Sequence, residues 1–382
     1  MSEEPFGDIP LFREIQRLLA AGDGPINLEI ARQVALAVAT EGRLDPPPTA
    51  AAGRIFAEAV ADAEVLLAGY TRVPLVEPIR TAVVSRTEWI GSTLRSWGWL
   101  LEHLAEHLSA EFGRLQGGDE TPEPLGVTAA IAQVAPLLLG IQTGTVIGHL
   151  ATEVLGHHDF PVPQDPDRLT FVDHNVEAVA RDYSLPIDDL RRWIGIRDAA
   201  RHLTVTSVSW LQPYFHSLLT DLVDATDIDV GDIERRLMDL QSKGVEGLQS
   251  GIGLDDVLPV VPTERHSRSL SRLRAFIALL HGYAHHAAGV VGDELLSDQV
   301  RLQEGMARHD GSPSEGRALL QAVLGFDVDR SLQAAGATFC AAVVKLHGIP
   351  ALNRAWEAAD NLPTMTEIKD PFAWIERVVV ET

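Results

Sequence analysis

Residues 193–202 read Trp-Ile-Gly-Ile-Arg-Asp-Ala-Ala-Arg-His. Arg197, Asp198 and Arg201 have the spacing of His-Glu-x-x-His, a helical motif in which two histidines on one face bind zinc while the glutamate activates water. An arginine side chain stays protonated and has no lone pair to offer, so it cannot be a zinc ligand. The stretch therefore predicts the helix of a zinc site from which the ligands are missing.

Segments in four parts of the chain resemble a known family and follow one another in the family's order. They are residues 6–19, 193–215, 282–286 and 348–378. Together they resemble a family of actinobacterial zincin-like metalloproteases, some of which are associated with deazaflavin-coenzyme biosynthesis. The resemblance covers nearly the whole chain, and its C-terminal segment is the most specific part. It implies a mainly α, zincin-like helical fold with at most a few short strands.

The resemblance also implies which positions would hold a metal. In that family the helix after the tryptophan reads His-Glu-x-x-His, and a third ligand, glutamate, lies in a Gly-Tyr-Ala-Glu-His segment. Matched by position, Arg197 and Arg201 replace the two histidines, Asp198 replaces the glutamate, and His285 replaces the third ligand. All four positions depart from the pattern, so the resemblance implies the fold and not the activity. We expect no catalytic residue, no metal and no cofactor here.

Two functions remain open at this point. The first is a catalytically inactive homologue that acts as a binding or regulatory protein, with an unknown protein partner, an active paralogue or a second copy of the chain. The alternative is a metal-dependent hydrolase or peptidase with an unusual ligand set. Such a set could use His281, His285 and His286, or could include His202 beside the degenerate motif. Stoichiometric zinc in the purified protein would favour the alternative.

The two arginines allow two interpretations of their own. In the first, Arg197 and Arg201 pair with Asp198 or other nearby acids and fill the space of a metal. In the second, two guanidiniums one turn apart hold a carboxylate or phosphate ligand. A buried cation needs a partner in either case.

Residues 103–107 read His-Leu-Ala-Glu-His and match His-x-x-Glu-His, the motif of another group of zinc peptidases. However, Leu101 and Leu108 belong to a regular apolar seam at three- and four-residue steps. The two histidines and the glutamate then lie on the polar side of the helix. We interpret the match as a chance pattern, since a short motif recurs often without a site.

The composition excludes several classes of protein. The chain has 382 residues, of which 46% are hydrophobic and 22% charged, as in a globular protein. A net charge of −23 argues against nucleic acid and against an anionic membrane surface as partners. The single cysteine, Cys340, lies in an apolar run and cannot form an intrachain disulfide. The N-terminal residues show no signal peptide, so we expect a cytoplasmic location.

The pattern along the chain is helical, with few exceptions. We predict an N-terminal helical region at residues 1–116, a linker at 117–124 and a zincin-like domain at 125–382, packed as one unit. Residues 168–172 are the best candidate strand. Residues 125–155 are uncharged as far as Thr152 but lack basic flanks and an aromatic belt, so we expect a buried helix and not a membrane span. Gly140, Gly144 and Gly148 would let a neighbouring helix approach closely.

Overall fold

The computed structural model of the chain describes residues 24–75, 77–116, 127–228, 260–261, 263–324 and 330–380. The long helices are α1 (Leu28–Thr40), α2 (Ala50–Thr71), α3 (Arg86–Gln116), α4 (Val127–Glu153), α5 (Asp173–Asp182), α6 (Ile187–Ser207), α7 (Leu211–Asp224), α8 (Glu264–Leu295), α9 (Gln299–Asp310), α10 (Glu315–Leu324) and α11 (Arg330–His347). Short helices follow: α12 (Ile349–Asn353), α13 (Met365–Lys369) and α14 (Pro371–Ile375), with 3₁₀ turns at Arg354–Trp356 and Ala359–Asn361 and a π-helix at Glu376–Val380.

Strands contribute little to the described fold. Strand β1 (Thr81–Val83) pairs in parallel with β2 (Leu169–Phe171), with Thr81 opposite Leu169. Strand β3 (Asp227–Ile228) pairs antiparallel with β4 (Val260–Val261). The predicted mainly helical class is confirmed, and β2 lies inside the predicted strand at 168–172. The predicted linker at 117–124 and the segment at 6–19 lie outside the described residues, so the proposed division into regions stays a prediction.

Side-chain caps begin several helices, because the first backbone N–H groups of a helix have no partner within it. The caps are Asn27 for α1, Thr49 for α2, Thr263 for α8 and Asp298 for α9. Each side-chain oxygen accepts from the backbone N–H three residues on, as Asn27 Oδ1 does from Ile30 at 3.0 Å. The same polar side chains that the sequence places before apolar periodic runs therefore fix where these helices start.

The glycines of α4 lie against α1, as the sequence predicts. A Cβ at Gly140 would lie 2.5 Å from the carbonyl oxygen of Asn27, and one at Gly144 would lie 2.5 Å from that of Ala31. Helix α4 is not buried all round, however, since Leu138 is 43% exposed and Ile141 is 39% exposed. Among the described helices, none has the length and apolarity needed to cross a membrane.

Helix α6 runs through the centre of the molecule and carries the motif stretch 193–202. Its apolar side chains are buried around most of its circumference, between α2, α8 and the β1–β2 pair. Gly195 allows the approach of α2, because a Cβ there would lie 3.3 Å from that of Ala59. On α2, Phe56 stacks on Phe171 of β2 with ring centroids 4.2 Å apart. A central, tightly packed helix holds its polar side chains in fixed positions.

Helix α8 packs against α6 on one side and α11 on the other. Gly282 and Gly336 face each other where α8 and α11 cross, and a Cβ on either would overlap the backbone of the opposite helix. Cys340 is fully buried on α11, as expected for a small apolar side chain. This crossing fixes the rotation of α8 and turns His281 toward Arg201 of α6, with His285 stacked beside His281.

The C-terminal segment, which carries the most specific part of the resemblance, folds over α8 and α11. Thr364 and Glu367 form a capping box at the start of α13, with Glu367 accepting from the backbone N–H of Thr364 at 2.8 Å. Arg377 donates to both carboxylate oxygens of Glu367, at 2.7 and 3.0 Å. These bonds tie the last turns of the chain to α13.

Candidate functional site

A cleft of about 360 Å³ lies between α6 and α8 and is bordered by the turn at residues 157–160 and by α9, α10 and α11. Its described wall combines polar side chains with apolar ones such as Phe215, Ile277 and Leu280. The ionisable residues of this wall are Arg197, Arg201, Arg317, Arg330, Asp159, Asp310, His157, His158, His202, His281 and His285. A pocket of this volume is in the range that small-molecule sites occupy.

The structure brings the four predicted positions together. Arg197, Arg201 and His285 line the cleft, and Asp198 lies behind them with 1% of its side chain exposed. On α8, the residue that contacts Arg201 of α6 is His281, one helical turn before His285, the position that the family match implies. The Nδ1 atom of His281 lies 3.0 Å from an Nη atom of Arg201. The structure shows that these residues lie at one cleft. Their role stays a prediction.

Arg197 is held by two carboxylates. It forms an ion pair with Asp159, and its Nε atom donates to Asp198 at 3.1 Å. Its guanidinium also lies 5.4 Å from the ring centroid of Trp193. Burial alone would lower the pKa of Arg197, but the two aspartates outweigh burial and raise it. The sequence predicts Asp198 as a partner; Asp159, which makes the other ion pair, is not among the predicted residues.

Both aspartates are fully engaged. Asp159 also accepts from the backbone N–H groups of Leu155 and Gly156, at 2.6 and 2.9 Å. Burial opposes its ionisation, yet Arg197 and these N–H groups hold the pKa of Asp159 below its usual value. Burial instead raises the pKa of Asp198. The carboxylate of Asp198 accepts from the N–H of His158 at 3.3 Å, and a Cβ at Gly156 would overlap it.

Arg201 has a different environment from Arg197. Its guanidinium donates to the carbonyl oxygen of His158 and to His281, and no carboxylate in the described part of the chain forms an ion pair with it. Burial lowers the pKa of Arg201 to about 10, so the group is still charged at neutral pH. Because an arginine only donates, His281 accepts through Nδ1 and carries its proton on Nε2. Among the described residues, Arg201 is thus a cation on the cleft wall without a carboxylate in ion-pair contact, and the charges of Asp198 and Asp159 act on it from a greater distance.

Three histidines form a cluster beside the arginines. His157 and His158 lie in the turn after α4, and His202 follows Arg201 on α6. One ring nitrogen from each can be chosen so that the three lie within 4.8 Å of one another. Burial lowers the pKa of His157 to about 3 and of His202 to about 4, and that of His158 falls well below its usual value. All three imidazoles are therefore neutral at pH 7.

This cluster differs from the one that the sequence suggests. The sequence hypothesis grouped His202 with His281 and His285, whereas the structure groups it with His157 and His158. His281 is bonded to Arg201, and His286 lies 2.7 Å from the hydroxyl of Tyr70. Two adjacent residues on a helix would point in different directions. His157 and His158 lie in a turn instead, and the turn lets both side chains face α6.

The residues of the His-x-x-Glu-His match on α3 do not form a metal-compatible cluster in the described part of the chain. His103 lies 2.8 Å from a carboxylate oxygen of Asp224, and His107 lies 2.8 Å from the carbonyl oxygen of Thr226. Glu106 is exposed, and neither histidine belongs to the metal-compatible group found in the described residues. The two histidines instead connect α3 to the end of α7.

Comparison with known proteins agrees with this fold. A family model described as zincin-like metallopeptidase matches residues 26–375. A crystal structure of a candidate hydrolase with a novel fold from Chloroflexus aurantiacus has a TM-score of 0.66 and 24% sequence identity, covering 92% of this chain and 98% of that one. At this identity the likeness shows the fold alone. No curated protein matches. Because the family model spans most of its length, the chain belongs to the zincin-like metallopeptidase family.

Proposed function

We propose that this chain is a member of the family that has lost zinc-peptidase chemistry and binds a small anionic ligand in its cleft, through a carboxylate or phosphate group. The observation that carries the proposal is Arg201, a charged guanidinium on the cleft wall whose described partners are a carbonyl and an imidazole. A half-buried cation without a carboxylate partner is stabilised strongly by an anion from solution.

The family's zinc does not fit the residues present. Arg197 and Arg201 stand where two ligands are needed, and neither has a lone pair. Asp198, in the place of the glutamate that activates water, is buried and bonded to Arg197 and to the N–H of His158. No step of a zinc-peptidase reaction can be assigned to these positions.

The charge of the cleft favours an anion. Arg317 and Arg330 also line it, on α10 and α11. Asp159 is committed to Arg197, and Asp310 lies 3.6 Å from Arg317. A positive cleft on a chain whose net charge is −23 concentrates anions locally. Whether the bound form then acts on a protein partner, an active paralogue or a second copy stays a prediction.

The test is calorimetric titration of the full chain with inorganic phosphate and with citrate, in buffer that contains a chelator. We expect binding that Arg201→Gln weakens at least about tenfold, a difference of about 1.4 kcal/mol. Arg330→Gln, at an exposed position on the same cleft, should weaken it less. Arg272→Gln removes an exposed ion pair with Asp221 outside the cleft and should have no effect. Equal binding by wild type and Arg201→Gln would overturn the proposal.

The three-histidine cluster supports a second candidate, a metal-dependent hydrolase with an unusual ligand set. Against it, Asp159 and Asp198 are both bonded to Arg197 and are not available as a general base. Hydrolysis of peptide or ester substrates that a chelator abolishes, and that zinc restores, would favour this candidate over the first.

A further inference from the structure

We infer that His157, His158 and His202 form a binding site for one zinc ion, displaced from the positions that hold metal in the family pattern. The three rings are neighbours of one another, and each of them lines the cleft. Neutral imidazole is a good zinc ligand, and three histidines leave a fourth position open to water or to a ligand. This inference does not rest on the proposed anion binding, and the chelator-sensitive hydrolysis assay described above decides whether a zinc ion bound here is catalytic.

The spacing of the rings agrees with tetrahedral coordination. The centroids of His157 and His158 are 4.7 Å apart, those of His158 and His202 5.7 Å, and those of His157 and His202 6.0 Å. Three imidazoles at a Zn–N distance of about 2.0–2.1 Å and tetrahedral angles have centroids about 5.2 Å apart. The three coordinating nitrogens lie within 4.8 Å of one another, and side-chain rotation has to bring them to the separation of about 3.4 Å that tetrahedral coordination requires.

The hydrogen bonds around the cluster also agree with a metal site. Nδ1 of His157 lies 3.1 Å from the hydroxyl oxygen of Thr170, which leaves Nε2 for the ion. A partner on the other nitrogen is what orients a metal-ligating histidine. Nε2 of His158 is shielded from solvent and has no hydrogen-bond partner in the described structure. An unsatisfied buried nitrogen is costly, and a metal would satisfy it.

The arginines of the degenerate motif hold this cluster in place. Arg201 donates to the carbonyl oxygen of His158, and Arg197 forms an ion pair with Asp159, the next residue. The turn is thus bonded to α6 at two successive residues, one helical turn apart on α6. The substitutions that remove the family's ligands therefore position the new ones. Asp159 offsets the charge of Arg197, so Arg201 is the cation that opposes metal entry most directly.

The experiment is a zinc titration of the chelator-treated full chain in buffer free of phosphate and carboxylate anions, with metal content measured after dialysis. We expect one zinc per chain, and a visible absorption spectrum of tetrahedral type when cobalt replaces zinc. His158→Ala and His202→Ala should each weaken zinc binding by more than the roughly 10–100-fold that a lost hydrogen-bond partner of a ligand costs. Thr170→Val removes such a partner and should fall within that range.

Two matched controls separate this site from its neighbours. His285→Ala changes a cleft histidine at the family's third-ligand position, and His103→Ala changes a histidine of the α3 motif; both should retain wild-type zinc affinity. Circular dichroism checks that each variant is folded. If His202→Ala does not fold, the zinc affinity of His158→Ala is the deciding measurement. Absence of zinc binding by the folded wild type, equal affinity in His158→Ala, or loss in His285→Ala would each overturn the inference. Anion binding in chelator would be untouched by any of these results.

Discussion

Helices α3 and α6 both carry the spacing of a zinc motif, but their motif residues lie in different surroundings. On α3, His103, Glu106 and His107 supply every side chain that the inverted motif needs, yet the histidines bond to the end of α7. On α6, Arg197 and Arg201 supply no ligand, yet both line the central cleft. The helix whose sequence matches a zinc motif, α3, lies at the edge of the fold. The helix whose sequence departs from its motif, α6, lies at the centre.

The comparison teaches that spacing alone does not make a site. A metal site needs several elements that converge on one point, so that ligands distant in sequence meet. Helix α6 has such neighbours in α8 and in the turn at residues 157–160, whereas the described partners of the α3 histidines are the end of α7 and Thr226. The central helix therefore carries a polar cluster at the point of convergence, although arginines occupy two of its motif positions.

The largest expected effect comes from removing the charge that organises the α6 site. Arg197→Ala leaves Asp159 and Asp198 buried without their cation, which costs about 3–5 kcal/mol of unfolding free energy. Urea denaturation at pH 7 measures the loss. Arg192→Ala, on the same helix, removes a half-exposed pair with Asp189 and should cost only about 0–1 kcal/mol. Equal losses in the two variants would mean that the α6 network is not the buried centre inferred here.

Close packing provides the second test. A Cβ at Gly156 would overlap the carboxylate of Asp198, so Gly156→Ala should destabilise the fold by about 1–3 kcal/mol. Gly98 on α3 has no heavy atom within 4 Å of an added Cβ. Gly98→Ala should therefore be neutral or stabilise by about 0.4–1 kcal/mol, since alanine restricts the unfolded chain. Thermal unfolding of both variants gives the signs, and a stabilising Gly156→Ala would contradict the packing described for the α6 site.

Some features of the fold and of the α6 site can be predicted from the sequence, and others cannot. Periodicity predicts the helices, and glycine spacing predicts that another helix packs closely on α4, because both patterns involve residues close together in the chain. That this other helix is α1 is known only from the structure, since the two helices are far apart in the sequence. The family match predicts that Arg197, Arg201 and His285 share a cleft. It does not predict Asp159 or the pair at 157 and 158, because their roles depend on a turn that folds back across about forty residues of chain onto α6. Composition carries no information on such a contact.

The C-terminal ion pair joins the buried Glu367 to the partly exposed Arg377, and it provides a second ion pair for comparison with the α6 network. Burial opposes ionisation of Glu367, but its bonds to Arg377 and Thr364 outweigh this and lower its pKa. Its stabilisation is therefore present above its unfolded pKa of about 4.3 and lost as pH falls through the lower folded value. Wild type should exceed Glu367→Gln in unfolding free energy at pH 7, and the difference should shrink as pH falls below about 4.3, where the unfolded carboxyl takes up its proton while the folded one is still ionised. A difference that does not change with pH would show that the carboxylate charge is not its cause.

The smallest expected effect belongs to the literal motif. His103→Ala removes one half-exposed contact with Asp224 and should cost about 0.5–1.5 kcal/mol, the usual net value of a hydrogen bond. Chemical denaturation gives this cost, and metal analysis of the same preparation gives the zinc content, which should equal that of wild type. A histidine that only ties α3 to α7 affects stability and nothing else. If His103→Ala instead lost zinc while His158→Ala kept it, the helix at the edge would be the metal site, and the contrast between the two helices would have to be reversed.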